Sequence, residues 1–175
     1  MSNQSQEYVV LVDENDRELG TCEKLEAHQK GLLHRAFSVF ILNTNNELLL
    51  QQRALTKYHS GGLWTNTCCS HPRPGEAVLD AAHRRLKEEM GMECELEKLF
   101  SFTYKSAFEN GLTEHEYDHV LLGHFENEPV INPDEVAEWK WMPILEVKND
   151  IENNPENYTP WFKIIFEKFY ENLLH

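Results

Sequence analysis

The sequence lacks any long apolar run. Across its 175 residues, no stretch approaches the roughly 20 consecutive apolar residues that a membrane helix needs, so we expect no membrane partner. The opening MSNQSQEYVV has no basic segment followed by an apolar one, which predicts that there is no secretory signal and that the location is cytoplasmic. Internal repeats, low-complexity tracts and linkers are also missing, so the length predicts a single domain over residues 1–175.

Basic residues are scarce as well. Lysine and arginine number 16 against 30 aspartate and glutamate residues, which leaves a formal net charge of −14. A surface this acidic repels nucleic acid and anionic membranes, so neither is an expected partner. An anionic substrate must then be held locally, by a few clustered basic groups or by a metal ion. We expect a small-molecule substrate and a monomer or homodimer.

Cysteine occurs at only four positions, and two of them, Cys68 and Cys69, are adjacent in NTCCSHP, residues 66–72. Adjacent cysteines seldom form a structural disulfide, and thiols of cytosolic proteins stay reduced and are catalytic, metal-binding or simply buried. On an extended chain Cys69 and His71 point to the same side. Instead of a functional pair, these residues could be a buried thiol beside a surface histidine. A structural zinc site is another alternative, but the second Cys or His pair that such sites usually show is missing.

The chain has a hydrophobic content of 41%, which is ordinary for a protein with a core. Strands are predicted at residues 8–12, 36–43, 48–53, 94–104, 116–125 and around 136–142. Helices are predicted at 76–90, ending at Gly91, and at 161–174, whereas 21–34 is a short helix or an ordered loop and 149–160 is a polar loop. The turn TNNE between the second and third strands is a hairpin signal. This order predicts a mixed α/β or α+β domain with a mainly antiparallel sheet.

A second polar motif, TEHEYDH, covers residues 113–119. On a strand, Glu114 and Glu116 project to one face, and His115 and Tyr117 project to the other. Two carboxylates roughly 6–7 Å apart on one face repel each other unless a cation or a proton lies between them. The pattern therefore suits metal ligation in which one carboxylate also acts as an acid or base. A solvated strand edge is the alternative.

The predicted helix carries RRLKEEMG, residues 84–91, whose Arg–Glu pairs one turn apart indicate, by themselves, a surface ion-pair ladder. Together with Ser70 and Glu76, the same helix resembles the Nudix box, G-x5-E-x7-R-E-U-x-E-E-x-G-U, where U is aliphatic. Ser70 stands in place of the first glycine, and Arg85 stands in place of the glutamate that follows the arginine. In the hydrolases of this family that glutamate helps to bind the metals used for pyrophosphate hydrolysis, so its loss argues against hydrolysis.

The rest of the chain resembles the type I isopentenyl-diphosphate isomerases, which share the Nudix fold without hydrolysing their substrate. The resemblance covers residues from about 8 to about 165, and its specific segments are LHRAFSVF, QQRALTKYHSGGLWTNTCCSHP, the altered box, the Glu-x-Glu of TEHEY, and TPW. It implies a Nudix fold with a mixed, mainly antiparallel sheet packed between helices. It also implies an isomerase of isoprenoid biosynthesis that converts isopentenyl diphosphate to dimethylallyl diphosphate.

The resemblance further implies a set of site residues. One divalent metal, either manganese, magnesium or zinc, would be ligated by His28, His34, His71, Glu114 and Glu116. A second ion, magnesium carried by the diphosphate, would be held by Glu89, and the diphosphate itself would be bound by Lys24, Arg53, Lys57 and Arg85. The catalytic pair would be Cys69 and Glu116, with Tyr104 beside the glutamate and Trp161 over the hydrocarbon. From the residues alone, imidazoles and carboxylates suit a divalent metal, but their spacing leaves open whether they meet.

Two other functions are compatible with parts of the sequence. One is a Nudix hydrolase of a nucleoside or sugar diphosphate, which shares the fold and the metal but leaves NTCCSHP unexplained. The other is a metal-binding or protein-interaction module that uses the Nudix fold without catalysis. Substitution of Cys69 or Glu116 distinguishes this module from an isomerase, because the module would tolerate both changes.

Overall fold

The fold is organised around the strand that begins at His34. The structure, a computed structural model, describes residues 7–57, 60–107 and 111–173. The strands are β1 (Tyr8–Val12), β2 (Glu18–Glu23), β3 (His34–Leu42), β4 (Glu47–Arg53), β5 (Trp64–Thr65), β6 (Cys68–Ser70), β7 (Leu96–Ala107), β8 (Thr113–His124) and β9 (Val136–Pro143). The helices are α1 (Lys24–Lys30), α2 (Val78–Met90), α3 (Ile144–Asn153) and α4 (Pro160–Leu173), and a 3-10 turn covers Pro155–Asn157.

Strand β3 has the most neighbours in the sheet. It runs parallel to β8, from the pair His34 and Glu116 to the pair Leu42 and His124, and antiparallel to β1 and β6. The pairs β1–β2, β3–β4, β4–β5, β4–β9 and β7–β8 are all antiparallel. The sheet is therefore mixed and mainly antiparallel, which confirms the prediction.

Helices cover both faces of this sheet because successive apolar side chains of its central strand point alternately to one face and to the other, so that both faces are apolar. Phe37 of β3 faces α2 and packs in one core with Leu86 and Met90. Phe40 of β3 faces α4 instead and stacks on Phe169, with ring centroids 4.1 Å apart. Burial of each such side chain stabilises the fold by about 1.5–3 kcal/mol. The sheet is thus packed between helices, as the sequence predicted.

Helix α2 ends at Gly91, a position that requires glycine for two independent reasons. Its φ of 61° is left-handed, and its N–H closes the helix by donating to the carbonyl oxygen of Lys87. A Cβ atom at this position would also lie 2.4 Å from the carbonyl oxygen of Val130, a distance that no side chain tolerates. The predicted end of the helix at this glycine is confirmed.

Some element predictions need correction. The region 149–160 is not a loop throughout, because its first part continues α3, which buries Val147. The segment 21–34 divides into the end of β2, the helix α1 and the start of β3. The turn predicted between β3 and β4 forms, but the two strands pair only at Leu42 and Leu48, since β3 continues along β8 and β4 along β9.

The predicted C-terminal helix corresponds to α4, although residue 174 lies outside the described residues. Within residues 7–57, 60–107 and 111–173, no helix is long and apolar enough to cross a membrane.

Candidate active site

Three histidines and a glutamate converge at the start of β3. His28 lies on α1, His34 begins β3, His71 directly follows β6, and Glu116 lies on β8. Each offers one ligand atom, and the four atoms lie within 4.8 Å of one another. His34 and Glu116 meet because they are register partners on parallel strands. Glu116 Oε2 lies 2.9 Å from His71 Nε2 and 3.4 Å from His34 Nε2.

The hydrogen positions in this group fit a divalent cation. His34 Nδ1 lies 2.8 Å from the carbonyl oxygen of Leu32, which can only accept, so Nδ1 carries the hydrogen and Nε2 presents its lone pair. That Nε2 is buried and makes no hydrogen bond within the described part of the chain. Burial lowers the pKa of His28 to about 3 and also lowers the pKa of His71, so both rings are neutral at pH 7. Neutral imidazoles beside a carboxylate, one of them oriented by a backbone carbonyl, are suitable ligands for such an ion.

A tyrosine lies between two buried carboxylates. The Tyr104 hydroxyl lies 2.8 Å from Glu114 Oε1 and 2.8 Å from Glu116 Oε1. Since it has a single hydrogen, an additional proton or a cation must screen the carboxylate pair. Burial, and after it the charge of Glu116, raises the pKa of Glu114 well above its usual range. Burial acts in the same direction on Glu116, but the hydrogen bond with His71 Nε2, 2.9 Å away, favours the charged form and lowers the pKa of that carboxyl.

Glu114 lies beside the four-residue group. Its Oε2 atom is 3.8 Å from His28 Nε2, and its side chain projects from β8 on the same face as Glu116. The sequence predicted both glutamates on one face, and the structure confirms this. It brings His28, His34, His71 and Glu116 into one ligand cluster and leaves Glu114 at the edge of that cluster.

The two adjacent cysteines lie on opposite faces of β6. Cys68 is fully buried in the core beneath α2, whereas Cys69 faces the opposite core. The Cys69 sulfur lies 3.0 Å from Asn66 Oδ1 and 3.4 Å from Ser38 Oγ. Burial, and after it the charge of Asp118, raises the pKa of the Cys69 thiol, which is therefore neutral. Since the two thiols point apart, a structural zinc site that uses both of them is not formed.

A cavity of about 510 Å³ connects these groups with a wall of basic residues, and this volume is typical of a small-molecule site. Of the residues that the resemblance implied, those lining the cavity are Lys24, His28, Arg53, Lys57, Cys69, His71, Arg85, Glu89, Glu114, Glu116 and Trp161. The other two, His34 and Tyr104, are buried behind the carboxylates that they contact. The structure thus places every implied residue in or directly behind one cavity.

The four predicted diphosphate-binding residues, which share this wall with Arg73 and Arg84, already interact with protein groups. Three of them form ion pairs: Lys24 with Glu7 at 3.2 Å, Lys57 with Glu135 at 3.1 Å, and Arg85 with Glu89 at 2.5 Å. The guanidinium carbon of Arg53 lies 5.0 Å from the centroid of the Trp161 ring. Arg85 also pairs with Glu135, so the helix presents a cation where the Nudix box usually has a carboxylate.

Several residues of this region were not predicted from the sequence. Asp118 lies two positions beyond Glu116 on β8, so the alternation of side chains along a strand could have identified it. Gln51 of β4 donates to Glu89 Oε1 at 2.9 Å. Glu135 and Glu7 lie outside regular motifs, and no local pattern indicates that they face the same basic wall.

Comparison with known proteins agrees with this geometry. The NUDIX domain family matches residues 32–162 of the chain. An isopentenyl-diphosphate Delta-isomerase 2 of Photorhabdus laumondii is 55% identical over 159 residues, which cover 91% of this chain and 90% of that protein. An isopentenyl-diphosphate Delta-isomerase 2 of Aromatoleum aromaticum is 52% identical over 163 residues, covering 93% and 86%.

Among solved structures, a protein of Deinococcus radiodurans superposes with a TM-score of 0.77 at 19% identity, covering 93% of this chain and 98% of the other. At that identity the likeness concerns the fold alone.

Proposed function

This chain belongs to the NUDIX family and, within it, to the isopentenyl-diphosphate Delta-isomerases, and we propose that Cys69 and Glu116 carry out its reaction at the cavity described above. The protein is an isomerase. Its reaction converts isopentenyl diphosphate to dimethylallyl diphosphate by a 1,3-proton shift. The observation that carries the assignment of residues is that a neutral thiol and a tyrosine-bound carboxyl line the same cavity.

The reaction needs two groups that exchange different protons with the substrate. One proton adds to the terminal carbon of the alkene, which yields a tertiary carbocation, and another proton leaves the carbon on the far side of the charge. Because an unactivated alkene is a weak base, the donor must be strongly acidic, well placed and shielded from water. A thiol and a carboxyl differ in proton affinity, so Cys69 and Glu116 can divide the two transfers between them.

Tyr104 and Trp161 support this chemistry in different ways. Tyr104 contacts both Glu114 and Glu116, and when its one hydrogen points to Glu116 it stabilises the carboxylate form of that residue and orients it. Trp161 is buried and lines the cavity. The face of an indole attracts a cation by about 0.5–2 kcal/mol, so Trp161 is suited to stabilise the carbocation.

The basic wall is the site for the diphosphate. Lys24, Arg53, Lys57 and Arg85 line the cavity and resemble the diphosphate-binding residues of the family. Local clustering of this kind explains how a protein with a net charge of −14 holds an anion. Arg guanidinium groups bind phosphate oxygens with paired hydrogen bonds, whereas Lys acts as a point charge.

A divalent metal would be held by the cluster of His28, His34, His71 and Glu116, with Glu114 at its edge. We propose manganese, magnesium or zinc for this site and magnesium, held by Glu89, for an ion that accompanies the diphosphate. The bound ion would supply the positive charge that keeps two neighbouring carboxylates close together. We further infer action in the cytoplasm as a monomer or homodimer, and the four free cysteines fit a reducing compartment.

Proton NMR of isopentenyl diphosphate, incubated with the protein and magnesium in heavy water, tests this function. We expect signals of dimethylallyl diphosphate and incorporation of deuterium into the product. Glu116→Gln is expected to lower conversion by at least about a hundredfold, the contribution of a positioned acid or base. Release of phosphate from nucleoside diphosphates without any isomerisation would instead indicate a hydrolase.

A further inference from the structure

The sulfur of Cys69 lies between two oxygen atoms whose orientations are set by other residues. The first is Oδ1 of Asn66, 3.0 Å from the sulfur. The Asn66 amide can face only one way, because its Nδ2 donates to the carbonyl oxygens of Val39 and Cys68, each at 3.0 Å. The amide oxygen therefore faces the thiol, and it can only accept the S–H hydrogen.

The second oxygen is the hydroxyl of Ser38, 3.4 Å from the sulfur. This hydroxyl donates to the carboxyl group of Asp118, with Oγ 2.9 Å from Oδ2 and 3.1 Å from Oδ1. A hydroxyl has one hydrogen, so while Ser38 donates to Asp118 it offers only lone pairs to the sulfur. Both neighbours of the thiol are thus acceptors, and they confine the direction of the S–H bond.

The placement of Asp118 has no evident role in packing. Asp118 is completely buried, and Ser38 is 1% exposed. A carboxyl group is costly to bury even when it is hydrogen-bonded, so an apolar residue would stabilise this part of the sheet better. The strand order places Asp118 where it reaches the thiol through one intermediate: Ser38 is the register partner of Cys69 on β6, and its own strand also pairs with β8, which carries Asp118.

We propose that Asp118 and Ser38 are positioning residues for Cys69: the Asp118 carboxyl group orients the Ser38 hydroxyl, and this hydroxyl, opposite Asn66, orients the thiol. Asp118 acts only through Ser38. The consequence for turnover rests on the proposed function, whereas the orientation of the thiol does not.

Steady-state kinetics test the role in turnover. Ser38→Ala and Asp118→Leu are each expected to lower kcat by about tenfold, the effect of losing one hydrogen bond at a reacting group, and to leave KM within about twofold. Asp118→Asn keeps an oxygen that accepts from Ser38, so kcat should stay within about threefold of the wild-type value. Ser101→Ala is the matched control, because its hydroxyl contacts Tyr117 and no group of the cavity.

The double variant Ser38→Ala with Asp118→Leu distinguishes a positioning role from a merely structural one. If Asp118 acts through Ser38, the second substitution lowers kcat no further once the hydroxyl is gone. Equal effects of Asp118→Leu in the two backgrounds, a rise in KM in place of a fall in kcat, or equal damage from Asp118→Asn and Asp118→Leu would each overturn the proposal. Melting temperatures of all variants identify any that fail to fold, and Ser38→Ala, the mildest change, then decides by its own kcat.

Alkylation of Cys69 by iodoacetamide provides a readout that needs no substrate. The rate is followed by tandem mass spectrometry, which assigns the label to Cys69 and not to the adjacent Cys68. A thiol released from one of its two acceptors should react about three- to tenfold faster in Ser38→Ala, and Asp118→Leu should add nothing in that background. An unchanged rate in Ser38→Ala would overturn the proposal even if isomerisation is observed. Faster alkylation of Ser38→Ala than of wild type, together with a wild-type protein that shows no isomerase activity, would refute the proposed function and support the positioning role.

Discussion

The phenolic hydroxyl of Tyr104 lies 2.8 Å from Oε1 of Glu116, its register partner on the neighbouring antiparallel strand. This contact links Tyr104, on strand β7, to the Glu116 carboxylate, which also lies against His71. The same carboxylate therefore belongs both to the candidate metal-ligand cluster and to the pair of groups that we propose exchange protons with the substrate.

Tyr104→Phe should lower kcat by about ten- to hundredfold, because a hydrogen bond to a charged group contributes about 1.5–3 kcal/mol. KM should change little, since Tyr104 lies behind the cavity wall. Tyr117→Phe is the matched control on the opposite face of β8, where the hydroxyl forms its hydrogen bond with Ser101, away from the cavity. Equal losses of kcat in both variants would show that the phenol at position 104 has no special role.

Substitution of the two adjacent cysteines should have different effects, one on activity and the other on stability. Cys69→Ala is expected to lower turnover by at least about a hundredfold with little change in melting temperature. Cys68→Ala removes a fully buried sulfur from the core beneath α2, so it should lower the free energy of unfolding by about 1 kcal/mol or more and leave kcat near the wild-type value. Turnover assays and urea unfolding measure both effects. Comparable turnover of the two variants would refute the assignment of Cys69.

A divalent metal should raise the melting temperature of protein first treated with a chelator. A ligand at 100 times its Kd stabilises a folded protein by about 2.7 kcal/mol. His34→Gln removes the buried Nε2 lone pair and should abolish the shift, whereas His83→Gln, on the exposed face of α2, should retain it. Manganese, magnesium and zinc are compared by scanning calorimetry. Retention of the full shift in His34→Gln would exclude that nitrogen as a ligand.

The loss of folding stability in acid should depend in part on Glu76, which accepts two hydrogen bonds from Arg84 at 2.8 and 2.9 Å. These bonds lower the pKa of Glu76 below its usual 4.5. The unfolded chain therefore binds this proton more readily, so the stabilisation is present above pH 4.5 and is lost as the pH falls through the folded value.

Glu76→Gln should reduce the free energy of unfolding by about 1–2 kcal/mol at pH 7, and the difference from wild type should shrink below the usual pKa of a glutamate. Urea unfolding between neutral and acidic pH measures this difference. Glu93→Gln, which removes an exposed pair with Lys87, should change stability by less than about 0.5 kcal/mol at any pH. A difference that persists undiminished in acid would assign the effect of Glu76→Gln to something other than its charge.

Most elements of the fold could be predicted from the sequence because their signals are local. Short strand-like runs rich in β-prone residues identified β1, β3, β4, β7, β8 and β9, and apolar spacing with a final glycine identified α2. Helix α3 was missed because its segment is rich in Asn, Asp and Glu, and its stability comes from packing Val147 against the rest of the protein. The pairing of β3 was also missed, since strand partners distant in sequence leave no local trace.

The candidate site, too, could be predicted only in part from the sequence. The sequence by itself determined which chemical groups are available: a thiol and an imidazole two residues apart, two glutamates on one face of a strand, and a Nudix-like helix in which Arg85 replaces a carboxylate. Side-chain alternation and residue chemistry are properties of short segments, so they can be deduced without a fold.

Only the tertiary structure decided which of these groups meet. The parallel pairing of β3 with β8 brings His34 against Glu116, and the antiparallel pairing of β3 with β6 brings Ser38 against Cys69. It also decided that Cys68 and Cys69 face different cores and that Asp118 reaches the thiol through one hydroxyl. These relationships depend on strand register between distant segments, which hydrophobic packing on both faces of the sheet determines.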